Sequence, residues 1–232
     1  MSTGTTGEAR GRASDMVVWF DFGGVLSPPL GELFRAFEKK TGIGPEQLRL
    51  AMEDVGRDLG VPPLAPIESG TMPEAEWTAL LAAALRRRWP GLDQSRARWD
   101  AFGRQWFGGV EVNAPVAEAA RRLGEAGFRV GVLSNNVREW EPYWRAVIEP
   151  AGELDFVVDS CLHGVRKPEP AIYALAQRTA AAGASDCVLV DDLAENCRAA
   201  EEAGWTAVHF RDTAQALREL SAVTGIRLCR LP

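Results

Sequence analysis

From Ala114 onward the chain alternates between helical and extended patterns, and that alternation leaves few folds open. A helix over about 115–126 leads into the apolar run Phe128-Arg129-Val130-Gly131-Val132-Leu133, which stops at Ser134-Asn135-Asn136. A helix near 138–147, a strand at about 155–159 and a helix over 168–181 follow. Then comes the run Cys187-Val188-Leu189-Val190, ending at Asp191-Asp192, with a helix (194–203), a strand (205–209) and a last helix (213–223) behind it. Strands that take turns with helices cannot pair as hairpins; they form a parallel sheet with right-handed crossovers and helices on both faces. One more strand stands apart at the start, Val17-Val18-Trp19-Phe20, closing on Asp21 and then Gly23-Gly24. Such a strand delivers one carboxylate to the carboxyl edge of the sheet, where open α/β sheets place their sites. Taken alone, the segment also reads as a strand ending in an ordinary Asp-Gly turn.

Between that first strand and Ala114 the period is helical throughout. Ser27-Pro28-Pro29 breaks the strand; Leu33, Phe34 and Phe37, then Leu48, Met52, Val55 and Leu59, recur at helical spacing. Pro62, Pro63 and Pro66 read as a stiff connection. Thr71-Met72-Pro73-Glu74 reads as a helix start, leading to a helix with Trp77, Leu80, Leu81 and Leu85 on one side that stops near Trp89-Pro90-Gly91. A further helix is expected from about Gln94 to Phe107, carrying Trp99, Phe102 and Trp106. This block of about four helices, residues 30–107, is an insertion into an α/β core made of 16–29 and 108–232. Its aromatic stripe reads as core, and Arg86-Arg87-Arg88 as a solvated helix face. Residues 1–15, rich in Gly, Thr and Ser and without an apolar stretch, read as a disordered leader and not a signal peptide.

Composition narrows the partners. A formal net charge of −6 argues against nucleic acid or an anionic membrane surface, while leaving room for a small anionic substrate in a locally positive pocket. No apolar stretch approaches a membrane span. The four cysteines, Cys161, Cys187, Cys197 and Cys229, show no metal-type spacing and read as free thiols of a cytoplasmic protein; His163 and His209 are too few for a histidine-based metal site. Oligomeric state is left open.

Three strands of one parallel sheet end in polar residues, Asp21, Ser134-Asn135 and Asp191-Asp192, so these residues meet at one edge. A fourth element, Arg166-Lys167-Pro168-Glu169-Pro170, sits at a helix start. Lysine is rare here, with Lys39, Lys40 and Lys167 the only three among 26 basic residues, so Lys167 is not the default cation. A compact ammonium approaches a carboxylate and a phosphate together as a point charge. Three carboxylates, one lysine and neutral hydrogen-bond donors suit a hard cation such as Mg²⁺ and a phosphoryl group. A helix follows Asp191-Asp192 at once, so a helix-capping role is open for either.

Asp21-Phe22-Gly23-Gly24-Val25, Ser134-Asn135, Lys167-Pro168 and Asp191-Asp192-Leu193-Ala194-Glu195-Asn196 resemble the four ordered motifs of the haloacid dehalogenase-like hydrolase superfamily, over about residues 16–212. The runs Lys167 to Tyr173 and Val190 to Asn196 resemble the branch with a helical cap between the first two motifs. The resemblance implies a Rossmann-like three-layer parallel-sheet core with an inserted α-helical cap. It also implies a Mg²⁺-dependent phosphatase acting on a small phosphorylated metabolite, such as a sugar phosphate. Asp21 is then the nucleophile, forming an aspartyl-phosphate. Ser134, Asn135 and Lys167 hold the phosphoryl oxygens, and Lys167 also neutralises charge on Asp21. Asp21, Gly23 (through its carbonyl), Asp192 and Asp191 form the metal site, with Asn196 near its outer shell.

One position departs from the pattern. Most phosphatases of the family carry a second aspartate two residues after the nucleophile, as general acid for the leaving group; here that residue is Gly23. Losing a positioned general acid costs about 10²–10⁴ in rate. Three readings follow: a phosphatase for esters whose leaving groups need little protonation, or one that borrows another acid; a catalytically weak member that binds a phosphorylated ligand or partner; and a carbon–halogen hydrolase, against which the acidic pair stands. Specificity is expected in the cap, with Pro28 to Leu30 and Glu68 to Met72 facing the site.

Overall fold

The structure, a computed structural model, describes residues 15–228. The expected leader therefore lies outside the described residues but for Asp15, as does Cys229. Strand β1 (Val17–Phe20) is followed by helices α1 (Leu30–Thr41), α2 (Pro45–Leu59), α3 (Ala65–Glu68), α4 (Glu74–Arg88) and α5 (Phe102–Phe107). The alternating part then runs α6 (Ala114–Glu125), β2 (Arg129–Ser134), α7 (Glu141–Ile148), β3 (Phe156–Asp159), α8 (Pro170–Ala180), β4 (Cys187–Asp191), α9 (Ala194–Glu202), β5 (Thr206–His209) and α10 (Thr213–Thr224).

The five strands form one parallel sheet in the order β3-β2-β1-β4-β5. β1 lies at its centre because it is the most apolar strand: all four residues are buried, as a strand covered on both faces requires. Side chains alternate between two cores. Val18, Phe20, Val130, Val132, Val188 and Val190 face α6, α7 and α10. Val17, Trp19, Leu133 and Leu189 face Ile172, Tyr173 and Ala176 of α8 and Ala200 of α9. The chain builds outward from β1 to β3, then crosses back to β4 on the other side of β1. The crevice between the carboxyl ends of β1 and β4 is thus a topological switch point.

The helical insert leaves the core after Leu26 and returns at Asn113, whose amide donates to the Leu26 carbonyl at 2.7 Å. At the return, the Lys40 ammonium donates to the carbonyls of Gln105 (2.7 Å), Trp106 (3.2 Å) and Gly108 (2.7 Å), satisfying the open end of α5. Arg87 and Arg88 do more than coat a solvated face, since they pair with Asp58 and Asp54 of α2.

The expected helix over 94–107 is not continuous. Only Phe102–Phe107 is α-helical, preceded by a single tighter turn over Trp99–Ala101. Polar side chains compete for the backbone there: Asp93 accepts from the Ser95 amide, and Gln105 both accepts from the Arg98 amide and donates to the Arg96 carbonyl. The stretch holding Pro62, Pro63 and Pro66, expected as a connection, contains the one-turn helix α3. Leu80 and Leu59, expected on apolar faces, are exposed.

Candidate active site

Asp21 leaves β1 with its amide bonded to the Val190 carbonyl of β4 at 2.9 Å, which fixes the carboxylate beside the neighbouring strand end. The chain then turns sharply. Gly24 has φ +76°, and a Cβ there would lie 2.4 Å from Asp192 Oδ2. This glycine therefore serves both the left-handed turn and the close approach of a carboxylate. Gly23 is different. Its φ of −68° and ψ of 118° suit any residue, and a Cβ would meet only Asp21 Oδ2, at 3.7 Å. Nothing in the backbone requires glycine at the position where the family resemblance leads one to expect an acid.

Lys167 is the centre of the cluster. Its ammonium, 1% exposed, donates to Asp21 Oδ1 at 2.8 Å and to Asp191 Oδ2 at 2.5 Å. Asn135, just after β2, clamps its backbone from both sides: Asn135 Nδ2 donates to the Lys167 carbonyl (2.9 Å) and the Lys167 amide donates to Asn135 Oδ1 (2.8 Å). Asp191 spends its other oxygen on the Leu193 amide and on Asn196 Nδ2, both at 2.9 Å. It is thus the buried brace of the site and also ties down the entry to α9. Asp192 stands free of these bonds and, with Asp21, Gly23, Asn135, Lys167 and Asn196, lines a cavity of about 230 Å³. Ser134 is buried at the end of β2 and, like Asp191, does not line that cavity.

Three carboxylates surround one ammonium. Burial, then the Asp191 charge, push Asp21 up to about 7 against the pull of Lys167. Burial and Asp191 push Asp192 up to about 6. Burial alone would lower Lys167, but Asp191 and Asp21 outweigh it and hold the ammonium above the usual lysine range.

The donor set fits a hard divalent ion. Asp21, Asp191 and Asp192 each offer a carboxylate oxygen within 4.8 Å of the others. Their formal charge against one lysine leaves an excess that one divalent cation balances. Asn196 Oδ1, buried at the same place, has no hydrogen-bond partner among the described residues, as expected of a group left for a water held near an ion.

Sequence reasoning placed the polar floor of the cavity but missed most of its walls. Leu30 and Glu68 line it, as the stretches Pro28–Leu30 and Glu68–Met72 were expected to, while the rest of those stretches do not. Of the tryptophans Trp77, Trp89, Trp99 and Trp106, only Trp106 reaches it. Trp140 and Leu193 were not singled out. Leu193 follows directly on Asp191-Asp192, and that adjacency was the available signal.

An α/β core with a helical cap over a buried Asp–Lys–Asp cluster at the switch point is the framework of a hydrolase. The family model of haloacid dehalogenase-like hydrolases matches residues 16–204, and the chain belongs to that family. Among curated proteins it is 28% identical over 228 residues to the bifunctional epoxide hydrolase 2 of Rattus norvegicus, covering 93% of this chain and 40% of that one. The chain thus spans well under half the length of that relative. It is 26% identical over 129 residues to a sesquiterpene phosphatase of Aspergillus oryzae, covering 53% of this chain and 62% of that one. Among solved structures it resembles a HAD family enzyme of Bacteroides thetaiotaomicron in complex with magnesium and inorganic phosphate (TM-score 0.57, 17% identity, 84% of this chain and 93% of that one). It also resembles the L-2-haloacid dehalogenase of Xanthobacter autotrophicus (TM-score 0.62, 16% identity, 90% and 82%). At such identities these two likenesses concern the fold. No helix among the described residues is long and apolar enough to cross a membrane.

Proposed function

We propose that the protein hydrolyses a small phosphomonoester, with Asp21 as nucleophile and Mg²⁺ as cofactor. The observation that carries this is the buried Lys167 ammonium held between Asp21 and Asp191, with Asp192 beside them. A haloacid dehalogenase has no use for that third carboxylate, and a phosphatase among the relatives favours the same reading.

Lys167 fixes Asp21 through Oδ1 and leaves Oδ2 on the Gly23 side. An Asp21 oxygen attacks phosphorus, the bond from phosphorus to the ester oxygen breaks, and the alcohol departs taking a proton from water. Water then attacks the aspartyl-phosphate, releasing inorganic phosphate and restoring Asp21. Lys167 favours the ionised form of Asp21 and holds a phosphoryl oxygen as negative charge builds up on it; Asn135 orients Lys167, and Ser134 stands buried behind the site at the end of β2. Asp21, Asp192 and the Gly23 carbonyl would hold Mg²⁺, braced by Asp191. When bound, the ion neutralises phosphoryl charge and steers the phosphate in line with Asp21. The described cysteines are free and buried, in keeping with a reducing cytoplasm.

The test is phosphate release from a panel of phosphorylated metabolites with Mg²⁺, for wild type and Asp21→Asn. Turnover by wild type and a loss of about 10⁴ or more in the variant are expected. Hydrolysis that survives in the variant removes the covalent mechanism. Ligand-induced thermal stabilisation without any phosphate release identifies a binding protein instead.

A further inference from the structure

We propose that the substrate is the phosphate ester of an aromatic, phenol-type alcohol; this rests on the phosphatase reading above. Two independent observations converge on it. The first is what lines the cavity above Asp21. Its walls are apolar, with Phe34, Phe102, Trp106 and Phe107 from the cap and Phe22 and Trp140 from the core beside the aliphatic Leu33, Met52 and Leu64. Trp106 and Trp140 each lie nearly parallel to Phe102, at 16° and 25° with centroids 5.7 and 5.8 Å apart. Flat, layered rings accept another flat ring by offset stacking. At the rim, Leu30 and Leu193 leave 52% and 48% of their surface exposed, a wet apolar edge that a bound organic group would cover.

Several polar groups in the walls are already engaged, while Asn136 Nδ2 and Asn196 Oδ1 have no hydrogen-bond partner among the described residues. Glu68 and Arg166 pair with each other at 2.6 Å, Asn135 gives both side-chain atoms to the Lys167 backbone, and Asn136 Oδ1 takes the Val137 amide. A polyol would bring several hydroxyls into this cavity and find few partners for them. Hydroxyls buried without partners are costly, which discriminates against sugar phosphates. The second observation is Gly23. With no acid placed beside the nucleophile, the alcohol must leave with little protonation, and a phenol ionises near pH 10, as tyrosine does, where an alkanol is far weaker.

The experiment measures phosphate release by the full chain with Mg²⁺ from 1-naphthyl, phenyl and decyl phosphates and from glucose 1-phosphate and glyceraldehyde 3-phosphate. Phenyl and naphthyl esters have comparable leaving groups but different apolar area, so their ratio reports recognition. A kcat/KM about tenfold higher for naphthyl than phenyl is expected from the added ring, with both well above the sugars. Leu30→Gln, at an exposed position that does not threaten folding, should narrow that ratio about threefold through KM. A sugar phosphate as best substrate overturns the aromatic assignment and leaves the phosphatase reading standing. Decyl phosphate matching the naphthyl ester overturns it too, because neither the ring stack nor the leaving group then matters. Phosphate release from none of the five removes the phosphatase reading and this inference together.

Discussion

Gly23 and Gly24 are adjacent glycines with opposite reasons for being there. Gly24 is required by its positive φ and by Asp192 pressing against it. Gly23 is sterically free to be something else. Gly23→Asp should therefore fold normally and supply the missing proton donor. The gain should be up to about 10²–10⁴ in kcat on alkyl phosphates and small on aryl phosphates, whose leaving groups need less help. Parallel rate series for the two proteins against leaving-group pKa test this: wild type should be steep and the variant shallow. Equal slopes would mean that the proton already comes from elsewhere. The sequence showed at this scale which residues meet, because parallel strands share an edge. It did not show how their atoms are shared out. That Asp191 is consumed by Lys167, Leu193 and Asn196 while Asp192 faces the cavity follows from side-chain bonds that no spacing rule encodes.

Among the elements, the core strands were legible because a continuous apolar run with a polar end, set between helices, leaves little freedom. The cap was read only in outline. A helical period places Trp99, Phe102 and Trp106 on one side, and their rings do stack, yet Trp99 sits on a tighter turn ahead of the α-helix and residues 94–98 are not helical. Side chains such as Gln105 compete for backbone groups there, and periodicity is blind to that. Ion pairs between cap helices were equally invisible. Asp54 on α2 is buried and accepts from Arg88 of α4 (2.9 Å) and from Arg57 (2.7 Å). The Arg88 hydrogen bonds, against the opposing effect of burial and aided by Arg57, hold its carboxyl below the usual aspartate range. The folded state then binds the proton less readily than the unfolded chain. Stability from this group is complete above the unfolded pKa of about 3.9 and is lost as pH falls through the lower folded value. Asp54→Asn should cost about 1–2 kcal/mol at pH 7, with the gap to wild type closing below about pH 4. Urea denaturation of both proteins at pH 7, 4 and 3 checks this, and a gap independent of pH would assign the loss to packing.

Across the whole molecule, the cavity exists only while the cap stays seated on the core, and one short segment of the cap bonds to the core directly. Around α3 and the start of α4, the Glu68 carbonyl accepts from Ser160 Oγ at 2.5 Å and the Glu68 carboxylate pairs with Arg166. Glu74 accepts from Trp140 Nε1 at 3.1 Å. Between them lies Gly70, with φ +66°, where a Cβ would come within 2.3 Å of the Cys161 carbonyl oxygen in the core. A methyl group there meets backbone, which cannot rotate away, so the cap must lift or β3 must shift. Gly42, at the end of α1, has a similar φ of +82° with nothing within 4 Å of its would-be Cβ. The two alanine variants separate backbone strain from lost docking. Gly42→Ala should cost about 1–2 kcal/mol, the left-handed penalty alone, and leave catalysis unchanged. Gly70→Ala adds overpacking of about 1–3 kcal/mol, and it should also raise KM because the cavity walls contributed by the cap move away from those of the core. Denaturant titrations and steady-state kinetics on the pair decide the matter. If Gly70→Ala matches Gly42→Ala in both stability and KM, the seam between cap and core is soft, and the cavity does not depend on a fixed cap position.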